Sequence, residues 1–122
     1  MNAWYRARVL RGDQEGRTLG FPTINLSPHT MKRKEKEGVY ACFVRYGDKL
    51  YKGVLFYGPR LMKKEKKPVL EIHILHFEGD MYGKTISFQL LSYIREVKHF
   101  TTIGQMKKEI EKDIKKTPNT PS

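Results

Sequence analysis

Apolar and aromatic residues fall in short runs separated by turn signals over most of this chain, and within the runs the spacing is that of strands. Residues 39–46 are rich in β-branched and aromatic side chains, Gly47-Asp48 marks a turn, and 50–57 resumes the apolar and aromatic pattern, which predicts a β-hairpin. Residues 68–77 read as a further strand, Glu78-Gly79-Asp80 turns, and 85–94 returns with Ile86, Phe88 and Leu90 alternating with Ser87 and Gln89, which predicts a second hairpin. Runs at 4–10 and 23–26 bring the total to about six strands, mainly antiparallel, the number expected of a small closed or nearly closed barrel. After residue 100 the period changes: Ile103, Met106, Ile110 and Ile114 recur at helical intervals with Lys, Glu and Asp between them. Thr102 and Gln105 have capping-box spacing, Lys115 and Lys116 suit the negative end of the helix dipole, and Thr117-Pro118 stops it. With no internal repeat and no interdomain linker, residues 1–117 read as one domain and 118–122 as a frayed tail.

A length of 122 residues allows one core and no second domain. The net charge of +11 raises the question of a phosphate-rich partner or a nucleic-acid surface. Much of the excess lies in 32–37, 63–67 and 107–116, where glutamates are interleaved with lysines, the usual composition of solvated loops and helix faces. Cys42 is the only cysteine and falls inside the apolar run 39–44, so it reads as a small buried thiol in a reducing cytoplasm. The N-terminus has no signal-peptide pattern, no apolar run approaches membrane-spanning length, and the start at Met1 just ahead of the first strand reads as that of a complete chain.

The densest chemistry is in Gly16-Arg17-Thr18-Leu19-Gly20-Phe21-Pro22-Thr23-Ile24-Asn25. Gly16 and Gly20 permit close backbone approach to an anion, Arg17 can pair with phosphate oxygens in bidentate fashion, and Pro22 fixes φ just before two oxygen-bearing side chains. In extended backbone Thr23 and Asn25 share a face, so a hydroxyl and an amide oxygen can converge on one hard cation such as Mg²⁺, while Ile24 points into a core. A Gly/Pro-rich turn leading into a strand is the alternative reading of the same residues.

In 69–75, alternation places Leu70, Ile72 and Ile74 on one face and Glu71 and His73 on the other with Val69 and Leu75. A carboxylate and an imidazole among aliphatic neighbours are either solvent-facing or a partly desolvated site.

The run from Gly16 to Asn25 resembles the Gly-Arg…Gly-Phe-Pro-Thr-Ala-Asn-Leu signature of the ATP-dependent riboflavin kinases, the flavokinases, with Ile24 in place of alanine. Glu71-Ile72-His73 through Asp80-Met81-Tyr82-Gly83 resembles the family stretch that opens Glu-x-His and closes Asp-x-Tyr-Gly. Gly38-Val39-Tyr40, residues 53–59 and Ile94-Arg95-Glu96-Val97-Lys98-His99-Phe100 also resemble family segments, so the likeness spans most of residues 9–113. It implies a six-stranded antiparallel Greek-key barrel with a C-terminal α-helix, converting riboflavin and ATP to FMN and ADP, with no adenylyltransferase half for making FAD. It implies that Glu71 is the catalytic base, that Thr23 and Asn25 hold Mg²⁺, and that the Gly16, Gly20 and Pro22 loop wraps the nucleotide. Arg17 joins that loop as a phosphate contact on its own chemistry, and His73 and Tyr82 take supporting roles. Arg95, Phe100 and Met106 are the flavin candidates, Phe100 serving equally well as a staple beneath the helix. A monomer with no nucleic-acid or membrane partner is expected. A basic small-barrel nucleic-acid module and a flavin-binding regulator without turnover remain as alternatives. Two departures from the family pattern bear on flavin selectivity: Phe56 stands where many bacterial members carry asparagine, and residues 61–67 replace a Thr-Phe-Gly-rich loop.

Overall fold

Among the described residues, six strands and one long helix carry the architecture: β1 (Trp4–Arg8), β2 (Thr23–Leu26), β3 (Gly38–Tyr46), β4 (Lys49–Gly58), β5 (Val69–Ile74), β6 (Thr85–Arg95) and α1 (Ile103–Lys115), with a 3₁₀ turn at Pro28–Met31. The structure is a computed structural model that describes residues 3–11, 23–31, 35–59, 67–77, 79, 81–97 and 103–116. Every pairing is antiparallel, and the strands form one curled sheet in the order β1-β6-β3-β4-β5-β2. The amide of Leu10, just past β1, donates to the carbonyl of Asn25 in β2 at 2.7 Å, so the two edge strands are tied at one point and the sheet is a curled half-barrel.

The β3–β4 hairpin is as the sequence predicts: Tyr46 pairs with Lys49 across Gly47-Asp48, and Gly47 takes φ 61°, which glycine adopts without a Cβ penalty. The predicted second hairpin is corrected. β5 pairs with β4 and β2, whereas β6 pairs with β3 and β1, so the chain after Ile74 crosses over instead of turning back. The spatial order β6-β3-β4-β5 is that of a Greek key. A turn signal followed by an apolar run has the same local appearance in both topologies, and only partner choice distinguishes them. β5 is also shorter than the run 68–77, ending before the turn at Leu75-His76.

The concave side of the sheet buries Ile24, Leu26, Tyr40, Cys42, Val44, Leu55, Leu70, Ile72, Ile74, Ile86, Phe88 and Leu90 in one core. Ile24 and Cys42 therefore lie where the pattern puts them, and burial pushes the Cys42 thiol upward, keeping it protonated. On the convex side, Val39, Ala41 and Val54 are buried as well, and α1 packs across β3 and β4. Two register shifts in β6 carry one extra residue each, moving Tyr93 to the core side against Tyr40 and bringing Arg95 opposite Val39 on the convex side. Gly38 fits tightly here: at φ 155°, a Cβ would run into the Tyr93 ring and the carbonyl of Arg95.

Candidate active site

Pairing between β2 and β5 sets Thr23 opposite His73 and Asn25 opposite Glu71. Residues opposite each other on adjacent strands share a face with Cβ atoms about 5 Å apart, so the hydroxyl, the amide, the imidazole and the carboxylate form one four-residue patch. The alternation in both strands turns this patch away from the core, because Ile24, Leu26, Leu70, Ile72 and Ile74 take the other side. The patch continues across the sheet as two rows. Asn25, Glu71, Phe56, Val39 and Arg95 form one, and Thr23, His73, Val54, Ala41 and Ser92 the other.

Of the two readings of this strand face, the structure gives the desolvated one. His73 is only 8% exposed, and burial lowers its pKa to about 4, which leaves the ring neutral near pH 7. Its Nδ1 lies 3.0 Å from Thr23 Oγ1. Glu71 is half-buried between Asn25 and Phe56.

At the far end of the first row, Arg95 Nε donates to Asp113 Oδ1 at 3.1 Å and Nη2 donates to Oδ2 at 2.9 Å. Nη1 donates to the carbonyl of Glu96 at 3.1 Å, and Glu109 Oε2 stands 3.7 Å from Nε. The fork clamps β6 to α1, with Asp113 1% exposed. Burial raises the Asp113 pKa above its ordinary value, against the opposing pull of the Arg95 guanidinium. Three strand spacings separate Glu71 from Arg95, roughly 14 Å along the sheet.

Tyr82 is 49% exposed, in a turn bound to the end of β1 by hydrogen bonds from Gly83 N to Val9 O at 3.0 Å and from Val9 N to Lys84 O at 2.8 Å. The next residue of that segment, Leu10, bridges to Asn25, so the Tyr82 turn is tied through β1 to the β2 end of the Glu71 row. The Arg11 guanidinium lies over its ring, 4.6 Å from the centroid. Gly16, Arg17, Gly20, Pro22 and Phe100 lie outside the described residues, as does the side chain of Met106, whose backbone is in α1.

Two neighbours in this region escaped the sequence reading. Asp113, three residues after Ile110, breaks the apolar stripe of the helix with a carboxylate, a usable signal for a buried ion pair. Phe56 stood out only as a departure from the family pattern, and its place beside Glu71 depends on the β4–β5 register. Among the described residues no three His, Cys, Asp or Glu side chains form a metal cage. A hydroxyl and an amide beside a carboxylate instead suit a hard cation that keeps water and takes phosphate oxygens as further ligands. No helix among the described residues is long and apolar enough to cross a membrane.

A family model described as "Flavokinase: Riboflavin kinase" matches residues 2–120. The chain is 36% identical over 112 residues to the trifunctional protein RibF/MnmA of Mycoplasmoides gallisepticum, covering 92% of this chain and 17% of that one. It is 32% identical over 108 residues to the bifunctional riboflavin kinase/FMN adenylyltransferase of Bacillus subtilis, covering 86% of this chain and 34% of that one. The chain thus spans about a third or less of the length of these curated relatives. Among solved structures, it superposes on a macrolide-efflux protein from Streptococcus pneumoniae with a TM-score of 0.78 and 26% identity, over 96% of this chain and 38% of that one. It superposes on riboflavin kinase from Trypanosoma brucei with a TM-score of 0.61 and 20% identity, over 92% and 74%, a likeness of fold.

Proposed function

Because this chain belongs to the riboflavin kinase family, we propose that it transfers the γ-phosphate of ATP to the ribityl 5′-hydroxyl of riboflavin, giving FMN and ADP. The observation that carries the proposal is the β2–β5 register, which sets the oxygens of Thr23 and Asn25 on the same face as Glu71, one strand away. Phosphoryl transfer needs alignment of two substrates, neutralisation of the phosphate oxygens and a base for the nucleophile. Glu71 takes the 5′-hydroxyl proton as that oxygen attacks in line. Thr23 and Asn25 would hold Mg²⁺, which when bound would neutralise charge on the phosphate oxygens. Gly16, Arg17, Gly20 and Pro22, immediately before Thr23 in the chain, contribute the nucleotide loop.

The flavin lies along the row from Glu71 over Phe56 toward Arg95, and Phe100 and Met106 remain its further candidate contacts on the family resemblance. Arg95 serves there by holding α1 over the sheet through Asp113. Tyr82 supports the β1–β2 edge. The protein acts as a cytoplasmic monomer, a setting consistent with its one cysteine being a buried free thiol. A nucleic-acid module offers no reason for a carboxylate, an amide, a hydroxyl and a buried imidazole to share one face.

Incubation with riboflavin, ATP and Mg²⁺, each omitted in turn, and chromatography for FMN tests the reaction: product must require all three. Glu71→Gln should keep ATP binding and lose about two to four orders of magnitude in turnover. Undiminished FMN formation by that variant removes Glu71 from its role.

A further inference from the structure

We propose that His73 is a positioning residue for the cation site: its Nδ1 accepts the hydroxyl proton of Thr23 and so turns both lone pairs of Oγ1 outward, toward the metal. The inference deepens the riboflavin kinase reading and rests on it. A threonine hydroxyl has one proton and two lone pairs, and a metal is served only by a lone pair. If Thr23 donates to the ring, the proton is removed from the metal side. If the ring donates to Thr23, one lone pair is consumed and the hydroxyl proton is free to swing toward the cation. The 3.0 Å contact between Oγ1 and Nδ1 is compatible with either arrangement, so which nitrogen carries the hydrogen determines whether the hydroxyl proton is held on the ring or left to compete with the cation.

The geometry favours a built contact over a chance one. Thr23 and His73 are direct partners in the β2–β5 register, so the backbone itself holds the two side chains together. His73 is buried, and Val54 of β4 flanks it on the side away from Thr23, which limits ring rotation. Thr23 is the first residue of the four-residue strand β2, at the end of the sheet order, and the contact to the buried His73 adds to what fixes its rotamer. The same register puts Asn25 beside Glu71, so an error in the Thr23 rotamer would leave the amide as the remaining ligand of the pair.

Three measurements test this. In the unmodified protein, ¹⁵N NMR of the histidine rings should show His73 with hydrogen on Nε2 and a bare Nδ1; hydrogen on Nδ1 overturns the proposal without any variant. Removing the acceptor in His73→Leu should weaken Mn²⁺ binding to the ADP complex, read directly by electron paramagnetic resonance, by about 10–100-fold, as loss of a partner behind a metal ligand typically does. The KM for Mg²⁺ should rise in parallel, with kcat at saturating metal largely retained. His73→Asn, whose Oδ1 can replace Nδ1 as acceptor, should recover most of the affinity. Metal affinity unchanged in His73→Leu, or lost equally in both variants while thermal melts show both folded, overturns it. If the unmodified protein makes no FMN at all, the kinase reading fails instead, and the two failures are distinct.

Discussion

Breaking the clamp between Arg95 and Asp113 should loosen helix α1 by a calculable amount. Two charge-assisted hydrogen bonds, 3.1 and 2.9 Å long, join side chains that are 12% and 1% exposed. Removing one member of such a buried pair costs about 3–5 kcal/mol, because the other charge is left without its counter-ion in a poorly solvated place. Each partner here has an escape that brings the figure to the lower end. Without Arg95, Asp113 can take up a proton, the direction in which burial already drives it. Without Asp113, Arg95 cannot lose its proton but keeps Glu109 at 3.7 Å. Arg95→Met and Asp113→Leu should therefore each destabilise by about 3 kcal/mol. The double variant replaces the pair with apolar groups and should cost far less than the sum, with a coupling of at least about 2 kcal/mol. Urea unfolding followed by far-UV circular dichroism measures all three, and riboflavin KM in the same variants reports whether α1 holds the flavin end of the sheet. Single variants that each cost under about 1 kcal/mol, or a double variant costing the full sum, would refute the reasoning.

Acid should act through His73. Its pKa is about 4 in the folded chain against an ordinary 6.5, so the unfolded chain takes up the proton first as pH falls. The stability this group contributes is fully present above about pH 6.5 and is lost toward pH 4, by about 3 kcal/mol in total. Urea midpoints measured from pH 7 to pH 4 should show this loss in the unmodified protein and not in His73→Asn, and parallel curves for the two would cancel the assignment. Asp113, raised by burial, pulls the opposite way in both chains and drops out of the difference. Gly38→Ala should destabilise by about 3 kcal/mol, since a Cβ there meets the Tyr93 ring and the Arg95 carbonyl at a φ of 155° that alanine disfavours. A melting temperature within a few degrees of the unmodified protein would show that Tyr93 has room to move.

The period of two in each strand was enough to say which residues share a face, since alternation is a property of extended backbone alone. It separated Glu71 and His73 from Leu70, Ile72 and Ile74, paired Thr23 with Asn25, put Ile24 and Cys42 inside, and gave the six strands and the helix. The hairpin at Gly47-Asp48 was equally legible, because a two-residue turn fixes its own register. Which strands lie side by side was another matter. The predicted pairing of residues 68–77 with 85–94 gave way to a crossover, since β6 buries its apolar face between β1 and β3, strands distant in sequence. The same long-range choices put Thr23 on His73, Asn25 on Glu71, Phe56 beside the carboxylate and Arg95 into Asp113. Local residue order thus determined what each strand offers and on which side, while contacts between remote segments, formed only when the sheet curls on its core, decided what each offer meets.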